Sequence, residues 1–366
     1  MSSSQYKNQK KPLNVSKNEI NNAAREIRHG CNGDGRLIAI KKVQAFREYH
    51  LYPLMLIKNH LARNASKISD KIIVARRLKR LSTIIDKLER PTLDGTSSNS
   101  IKLTRMQDLA GCRAIVKNLS QLIRLREKLE TSRSVHKIVS IKDYLSPKKS
   151  GYGGVHIVFS CYENQDEEHD WRKAKVEVQL RTELHHAWAT SLEIIDTLEQ
   201  INLKTSHDGH EQWRRFFSVA GQLVAHEEKA CVIEDDERLS ELRHELVTLN
   251  HELEVSSKLA RYSFAIRMTT NKNSPKQGNA QGLFLVKMMR PKPNDKTLPV
   301  EVNFFSMRYS NEALEALNAA DLDEEVLIAV MVSAQNVRTL KQAYPNYFGS
   351  TRKFSEFLKK QKAYMD

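Results

Sequence analysis

Two runs of alternating residues, 153–162 and 173–181, constrain the fold of this chain most strongly. In the second run Val176, Val178 and Leu180 alternate with polar residues, which is the period-two pattern of a β-strand. The polar segment 163–170 between the runs is typical of a hairpin. The chain is therefore expected to contain a sheet with one apolar and one polar face.

The flanking segments complete an α+β pattern. Apolar residues recur every three or four positions over residues 17–90, which predicts helices, and 91–100 is a loop by composition. Two more strands and two more helices are expected further on, with strands at 111–118 and 136–145 and helices at 119–131 and 182–200. Strands this closely spaced do not fit a regular doubly wound sheet. We therefore expect a mixed sheet flanked by helices.

The C-terminal third shows a second α+β pattern. A long amphipathic helix or helix pair is predicted over 216–257, and a further helix over 311–322. Strand-like runs are found at 261–270, 281–290, 300–309 and 325–334. We expect a first domain at 1–204, a helical linker at 205–258 and a small C-terminal domain at 259–366.

The net charge of +15 is unevenly distributed. Residues 1–150 contain 32 Lys and Arg against 12 Asp and Glu, whereas 205–366 contain 22 of each kind. An excess confined to one domain favours a polyanionic partner, such as nucleotide phosphates or RNA, over a merely solvated basic surface.

Cysteine usage and hydropathy indicate the compartment. Cys31, Cys112, Cys161 and Cys231 show no metal-ligand spacing and are interpreted as reduced thiols. No run of about 18 apolar residues predicts a membrane span, and the polar, basic N-terminus does not resemble a secretory signal. A cytoplasmic protein without a membrane partner is expected.

The basic run 75–90 is the first candidate for chemistry. On the helix predicted there, Arg76, Lys79 and Arg80 would share a face flanked by Arg77, and a polyphosphate would relieve their repulsion. A solvated helix face explains such a run about equally well.

Two carboxylates are further candidates. Asp108 stands among apolar residues before a predicted strand, with Arg113 five residues on. A lone carboxylate there is commonly a capping or salt-bridge residue, and it becomes a Mg²⁺ ligand only if a second carboxylate converges on it. Glu177 shares the polar face of its predicted strand with Gln179 and Arg181, so this face is either solvated or the wall of a site.

The loop before the first alternating run is the last candidate. Gly151, Gly153 and Gly154 surround Tyr152, an aromatic residue that can stack on a nucleobase. Taken alone, such a sequence is usually a turn.

Together, these four motifs resemble, in order and spacing, the synthetase domain of the RelA/SpoT family over roughly residues 60–200. The family's basic helix, Asp-x-x-Gly-x-Arg strand, Gly-Tyr-x-x-x-His loop and Glu-x-Gln-x-Arg-Thr strand are all matched. The matching residues are Arg76, Arg77, Lys79, Arg80, Ser82, Lys87, Asp108, Gly111, Arg113, Gly151, Tyr152, His156, Glu177, Gln179, Arg181 and Thr182.

The resemblance implies transfer of pyrophosphate from ATP, with Mg²⁺, to a nucleotide 3′-hydroxyl. It implies a catalytic group of Asp108, Glu177 and Tyr152, in which the two carboxylates bind Mg²⁺ and Glu177 takes the proton of the attacking hydroxyl. It implies ATP binding by Arg76, Arg77, Lys79, Arg80, Ser82 and Arg113. It implies acceptor binding by Tyr152, His156, Lys148, Lys149, Gln179 and Arg181.

One departure from the family pattern concerns the acceptor. Members that make guanosine alarmones usually carry Arg-Ser where this chain has Gly153 and Gly154. The glycines are expected to leave room for a larger acceptor, and the family includes toxic members that modify the 3′-CCA end of tRNA. We therefore expect tRNA as acceptor, with GDP or GTP as the alternative and no DNA partner. A catalytically inactive RNA-binding or interaction protein is a third hypothesis.

The C-terminal part resembles the fused toxin–antitoxin members of the family, the CapRel type. In these, a domain shaped like a zinc finger without zinc ligands restrains the synthetase, and no cysteine occurs in 259–366. The resemblance implies that Tyr344 and Tyr347 block the ATP site by stacking on its arginines, and that a phage protein, expected to be a capsid protein, releases them. The alternative is that both tyrosines are packing anchors.

Overall fold

The computed structural model describes residues 8–89, 101–164, 169–199, 201, 203, 210–270, 282–291, 297–334, 336–348 and 351–365. The predicted loop at 91–100 and the predicted boundary at 204/205 lie outside these residues. In the described residues, no helix is long and apolar enough to cross a membrane.

Three helices open the described chain: α1 (Lys17–Arg28), α2 (Gly33–Tyr49) and α3 (Leu51–Ser66). Ser16 and Glu19 form a reciprocal capping box at the start of α1. The break between α2 and α3 follows from Pro53, which has no N–H to donate to the Tyr49 carbonyl. That carbonyl instead accepts a hydrogen bond from Trp171 Nε1 at 3.0 Å.

The next described elements are five strands and three helices. They are β1 (Ile73–Leu78), α4 (Leu81–Glu89), β2 (Ala110–Val116), α5 (Leu119–Thr131), β3 (Lys137–Asp143), β4 (Val155–Ser160), β5 (Lys175–Thr182) and α6 (Glu183–Glu199). The two alternating runs form β4 and β5, which pair antiparallel as predicted. The linking segment 163–170 is described only in part.

The second half begins with three helices: α7 (Glu211–Glu227), α8 (Asp236–Glu252) and α9 (Val255–Ala265). The remaining elements are β6 (Ile266–Thr270), β7 (Gly282–Met289), β8 (Leu298–Ser306), α10 (Ser310–Leu322), β9 (Val326–Ala334), α11 (Val337–Ala343) and α12 (Arg352–Ala363). Residues 261–265, predicted as the beginning of a strand, are the end of α9.

Among the described residues, all strands form one nine-stranded sheet in the order β3-β4-β5-β2-β1-β9-β7-β8-β6. The strands β1 and β9 pair antiparallel and so join the two halves of the chain. Both β7 and β9 are interior strands of the sheet. The predicted mixed α+β sheet flanked by helices is confirmed, while the zinc-finger resemblance of the second unit stays a prediction.

The predicted helix over the basic run is wrong in its first part. Residues 73–78 are strand β1, and the helix begins only at Leu81. The β-branched run Ile72-Ile73-Val74 favours a strand, and β1 is hydrogen-bonded on both sides, to β2 and to β9. Arg76 and Arg77 therefore point to opposite faces of the sheet.

Candidate active site

The polar face of β5 carries a hydrogen-bonded row, as its alternation predicts. Gln179 Nε2 donates to Glu177 Oε2 at 2.8 Å. Arg181 is buried among protein groups and donates to the Tyr152 hydroxyl at 2.9 Å. This face is therefore not simply solvated, and Glu177 on it lines a cavity.

Tyr152, in the loop before β4, is linked to Glu177 on β5 by a chain of hydrogen bonds through His156 on β4. The Tyr152 hydroxyl is hydrogen-bonded to His156 Nε2, and His156 Nδ1 lies 2.8 Å from Glu177 Oε1. Burial opposes ionisation of Glu177, yet its hydrogen bonds with His156 and Gln179 lower the pKa of its carboxyl group. Because an ionised carboxylate can only accept hydrogen bonds, His156 Nδ1 donates to Glu177.

Asp108 lies immediately before β2 and faces two lysines. Lys79 Nζ is 2.8 Å from its Oδ2, and Lys87 Nζ is 3.3 Å from its Oδ1. Burial opposes the charge of Asp108, but the two ammonium groups lower the pKa of its carboxyl group. Asp108 is therefore an ionised carboxylate that keeps 28% of its side chain exposed.

Asp108 and Glu177 line the same cavity, of about 760 Å³. Their strands β2 and β5 are parallel, and Gly111 pairs with Glu177, which brings Asp108 to the same end of the sheet. The cavity is otherwise mostly basic or uncharged, with Lys87, Ile101, Lys102, Arg105, Met106, Gln107 and Lys142 on its walls. The two carboxylates thus face one cavity, which is the first condition that a Mg²⁺ site would have to meet.

The donor set fits Mg²⁺ rather than a metal held by protein alone. Within the described part of the chain, no group of three or more His, Cys, Asp and Glu residues is arranged to hold a metal ion. Mg²⁺ is usually bound by one or two carboxylates together with substrate phosphates, and Asp108 and Glu177 can supply the protein's share.

The loop that carries Tyr152 is a tight, basic segment. Gly151 N–H donates to the Lys148 carbonyl at 2.7 Å, and Gly151 takes a φ of +82°. Lys148 Nζ lies 4.0 Å from the centre of the Tyr144 ring, while Lys149 is exposed. Tyr152 itself is half-buried, with the Tyr144 ring edge-on at 5.8 Å.

The glycines after Tyr152 do not leave the space expected from the sequence. A Cβ on Gly153 would lie 2.5 Å from His185 Nε2, because the histidine ring fills that position. Gly154 has a φ of +125°, which is unfavourable for residues with a side chain. The glycines therefore allow close packing and a special backbone conformation.

Arg77 and Arg113 meet the two C-terminal tyrosines on the same sheet face. Arg77 donates to the Tyr347 hydroxyl at 3.0 Å, and Arg113 donates to the Ala343 carbonyl at 3.1 Å. The Tyr344 ring centre is 5.6 Å and 5.4 Å from the two guanidinium carbons and 6.1 Å from the stacked Tyr347 ring. Both tyrosines are only 2% exposed.

The structure does not bring together all the residues predicted to bind ATP. Arg76 is 4% exposed on the opposite sheet face, where it donates to Gln9 Oε1 at 3.3 Å, and burial lowers its pKa to about 10. Arg80 is half-buried just before α4, and Ser82 is exposed in its first turn. Neither Arg80 nor Ser82 lines the cavity with Asp108.

Sequence reasoning missed three of the cations that line the cavity, Lys102, Arg105 and Lys142. Lys142 pairs with His156 in the β3–β4 register, so the alternation of the 136–145 run carries a signal for it. Lys102 and Arg105 lie in an irregular stretch before Asp108, where no periodicity indicates which way a side chain points.

A family model described as a region found in RelA / SpoT proteins matches residues 76–194. No curated protein gives a significant match. Residues 76–194 therefore form a region of the type found in RelA / SpoT proteins.

Three solved bacterial structures that match part of this chain are the following. Small alarmone synthetase 1 from Bacillus subtilis, bound to pppGpp, is 22% identical, with a TM-score of 0.39 over 53% of this chain and 92% of that one. Small alarmone synthetase 2 from the same organism is 22% identical, with a TM-score of 0.35 over 47% and 88%. A GTP pyrophosphokinase family protein from Streptococcus pneumoniae is 18% identical, with a TM-score of 0.35 over 48% and 85%.

Proposed function

We propose that this chain, with its RelA/SpoT-type domain at 76–194, is an ATP-dependent pyrophosphokinase that acts on the 3′-CCA end of tRNA and so inhibits translation. The observation that carries the proposal is the cavity that Asp108 and Glu177 line together with three lysines and one arginine. Phosphoryl-type transfer depends mainly on positioning and charge neutralisation, and this cavity supplies groups for both.

The proposed reaction joins the acceptor 3′-oxygen to the β-phosphorus of ATP and breaks the bond between that phosphorus and the oxygen bridging to the α-phosphate, releasing AMP. Glu177 accepts the proton of the attacking hydroxyl, and His156 and Tyr152 fix the direction of its carboxylate. Bound Mg²⁺, held by Asp108 and Glu177, would neutralise phosphate charge. Lys79 and Lys87 orient Asp108 and add positive charge at the donor phosphates.

The charge distribution supports an RNA acceptor. Lys102, Arg105, Lys142, Lys148 and Lys149 are exposed on the cavity walls or on the neighbouring loop. A tRNA end offers several phosphates to these five cations, whereas a mononucleotide can contact only some of them. The glycines beside Tyr152 do not add to this argument, because His185 fills the space that an open loop would provide.

The C-terminal tyrosines support self-inhibition. Arg77 and Arg113, two of the residues proposed to bind ATP, are engaged by Tyr347, Ala343 and Tyr344. An ATP molecule that used these guanidinium groups would have to displace the segment 343–347. We further propose that a phage protein, a capsid protein in the first instance, binds the C-terminal unit and releases this segment.

Transfer assays with γ-³²P-ATP test the proposal. Deacylated tRNA, GDP and GTP are offered separately to the full chain and to the Tyr347→Phe variant. Label on tRNA supports the proposal, and label on GDP or GTP alone would replace it with alarmone synthesis. The absence of label on every acceptor with both proteins would favour a binding protein without catalysis.

A further inference from the structure

The loop that carries Tyr152 rests on helix α7, which lies outside the matched region 76–194. The backbones of Gly151 and Gly221 are in such close contact that a Cβ on Gly221 would lie 2.0 Å from the Gly151 carbonyl oxygen. A Cβ on Gly151 would lie 2.2 Å from the Phe217 carbonyl oxygen. Only glycine at both positions allows this packing.

Hydrogen bonds surround the glycine contact. Ser218 Oγ donates to the Lys149 carbonyl at 2.7 Å, and Trp188 Nε1 donates to the Phe217 carbonyl at 3.0 Å. Ser218 therefore fixes the loop directly, while Trp188 fixes the turn of α7 beneath it. The loop is held at several points by this one helix.

Glu228, which directly follows α7, is linked to the other side of the loop through Thr182 and His185. Glu228 Oε2 accepts a hydrogen bond from Thr182 Oγ1 at 2.6 Å and lies 3.0 Å from His185 Nδ1. The same His185 ring fills the space next to Gly153. The backbone before Tyr152 is thus fixed by α7 itself, and the backbone after Tyr152 by His185, which contacts Glu228 at the end of α7.

The C-terminal helix α12 also contacts α7. The Phe217 and Phe354 rings stack at 6.4 Å, and Gln361 Nε2 donates to Glu227 Oε2 at 2.9 Å. Helix α7 is therefore in contact with both the acceptor loop and the C-terminal unit.

We propose that Gly221 is a positioning residue, through which α7 places Tyr152 and controls use of the acceptor. This inference rests on the proposed function. A shift of the loop by an ångström would move Tyr152 away from His156, and misplacement of this size costs up to about a hundredfold in rate. The donor residues Arg77 and Arg113 contact the 343–347 segment instead and should be affected far less.

Gly221→Ala tests the inference with little damage to the helix. Alanine is a better helix former than glycine, so α7 itself remains favoured while its new Cβ displaces the loop. The matched control is Gln212→Ala, an exposed position on the same helix. Ser218→Ala is a second, milder variant that removes the hydrogen bond to the Lys149 carbonyl and a longer one, at 3.5 Å, from Gln222 Nε2.

Limited trypsin digestion of the full chain reports loop docking without any enzymatic activity. Cleavage after Lys148 and Lys149, quantified by mass spectrometry of the fragments, is expected to be about tenfold faster in Gly221→Ala, because proteolysis follows the population of the open loop. Ser218→Ala should show a smaller increase in the same direction. Equal cleavage rates in wild type, Gly221→Ala and Gln212→Ala would overturn the inference.

Kinetics separate positioning from general damage. In a Tyr347→Phe background, Gly221→Ala should lower kcat/KM for the acceptor by about ten- to a hundredfold and leave the affinity for a non-hydrolysable ATP analogue unchanged. Equal losses in kcat/KM for the acceptor and in affinity for the ATP analogue, or no loss in either, would contradict the inference. If no protein transfers pyrophosphate, the proposed function fails, and the digestion experiment still decides whether α7 positions the loop.

Discussion

Asp108 and Glu177 stay ionised through different partners. Asp108 is paired with two lysines, whereas Glu177 is hydrogen-bonded to a histidine and an amide. The pKa of each carboxyl group is lowered in spite of burial. Each is therefore charged at neutral pH, as the proposed roles in Mg²⁺ binding and, for Glu177, in proton acceptance require.

Asp108→Asn should abolish pyrophosphate transfer, with a loss of about a thousandfold or more, because the isosteric amide cannot supply a carboxylate charge to Mg²⁺. The measurement is the initial rate of label transfer from γ-³²P-ATP. Asp34→Asn, at an exposed position in α2, is the control and should retain the wild-type rate. If Asp108→Asn retains activity, Asp108 is not required for pyrophosphate transfer.

We also expect Asp108→Asn to change how the free energy of unfolding depends on pH. Because the pKa of Asp108 is lower in the folded than in the unfolded chain, its contribution to the free energy of unfolding is present above the ordinary pKa of 3.8 and is lost as the pH falls through the folded value. Urea unfolding should show a difference between wild type and Asp108→Asn of about 1 kcal/mol at pH 7, after allowance for solvent screening. A difference that grows on acidification would contradict this assignment.

Arg76 and Arg77 should behave differently, since β1 places them on opposite sheet faces. Arg77→Gln is expected to raise the KM for ATP by about tenfold or more through loss of a charge-assisted contact. Arg76→Gln should change thermal stability and leave the KM for ATP unchanged, because Arg76 is buried against Gln9. Equal effects on KM would indicate that both arginines reach the donor.

At the scale of elements, the segment 343–347 lies over strands β1 and β2. It closes one part of the polar sheet face, while the part that contains Asp108 and Glu177 remains a cavity. Burial raises the pKa of Tyr344, so its hydroxyl is neutral at physiological pH and its ring faces the arginines.

Tyr347→Phe removes the hydroxyl that Arg77 contacts and preserves the ring packing. Hydrogen bonds to charged groups contribute about 1.5–3 kcal/mol, so the basal transfer rate should rise by about tenfold or more. The matched control is Tyr309→Phe, at an exposed tyrosine of the C-terminal unit. If wild type and Tyr347→Phe have the same rate, the self-inhibition proposal is wrong.

The sequence predicts elements well where periodicity is clear, as in β4, β5 and α10. It fails at β1, because a run with apolar residues at helical spacing also contains the β-branched residues that pair with β2 and β9. The alternation of β5 predicts that Glu177, Gln179 and Arg181 share one face, but it does not indicate whether that face is solvated or lines a site. The packing of Gly151 on Gly221, 70 positions apart in the chain, has no local sequence signal.

At the scale of the whole molecule, the two units are joined by more than the shared sheet. Arg47 in α2 and Asp321 in α10 form an ion pair at 2.7 Å, with 2% and 6% of their side chains exposed. Asn318 Nδ2 donates to Glu48 Oε1 at 2.7 Å beside it. The N-terminal helices therefore hold the C-terminal unit from the sheet face opposite the tyrosines.

Arg47→Ala should lower the free energy of unfolding by about 3–5 kcal/mol, because it leaves a buried carboxylate without its partner. The measurement is urea unfolding of the full chain. The double variant Arg47→Met, Asp321→Leu replaces both charges by apolar groups and should recover most of the loss. If Arg47→Ala is as stable as wild type, the ion pair between Arg47 and Asp321 contributes little to the free energy of unfolding.

The most direct test of pyrophosphate transfer to tRNA is the mass of the 3′-terminal nucleotide of deacylated tRNA after incubation with ATP, Mg²⁺ and the Tyr347→Phe protein. The account predicts a terminal adenosine heavier by one pyrophosphoryl group, and AMP formed in equal amount. It also predicts no modification with Asp108→Asn in the same background. An unmodified tRNA end, together with pyrophosphorylated GDP or GTP, would contradict the account.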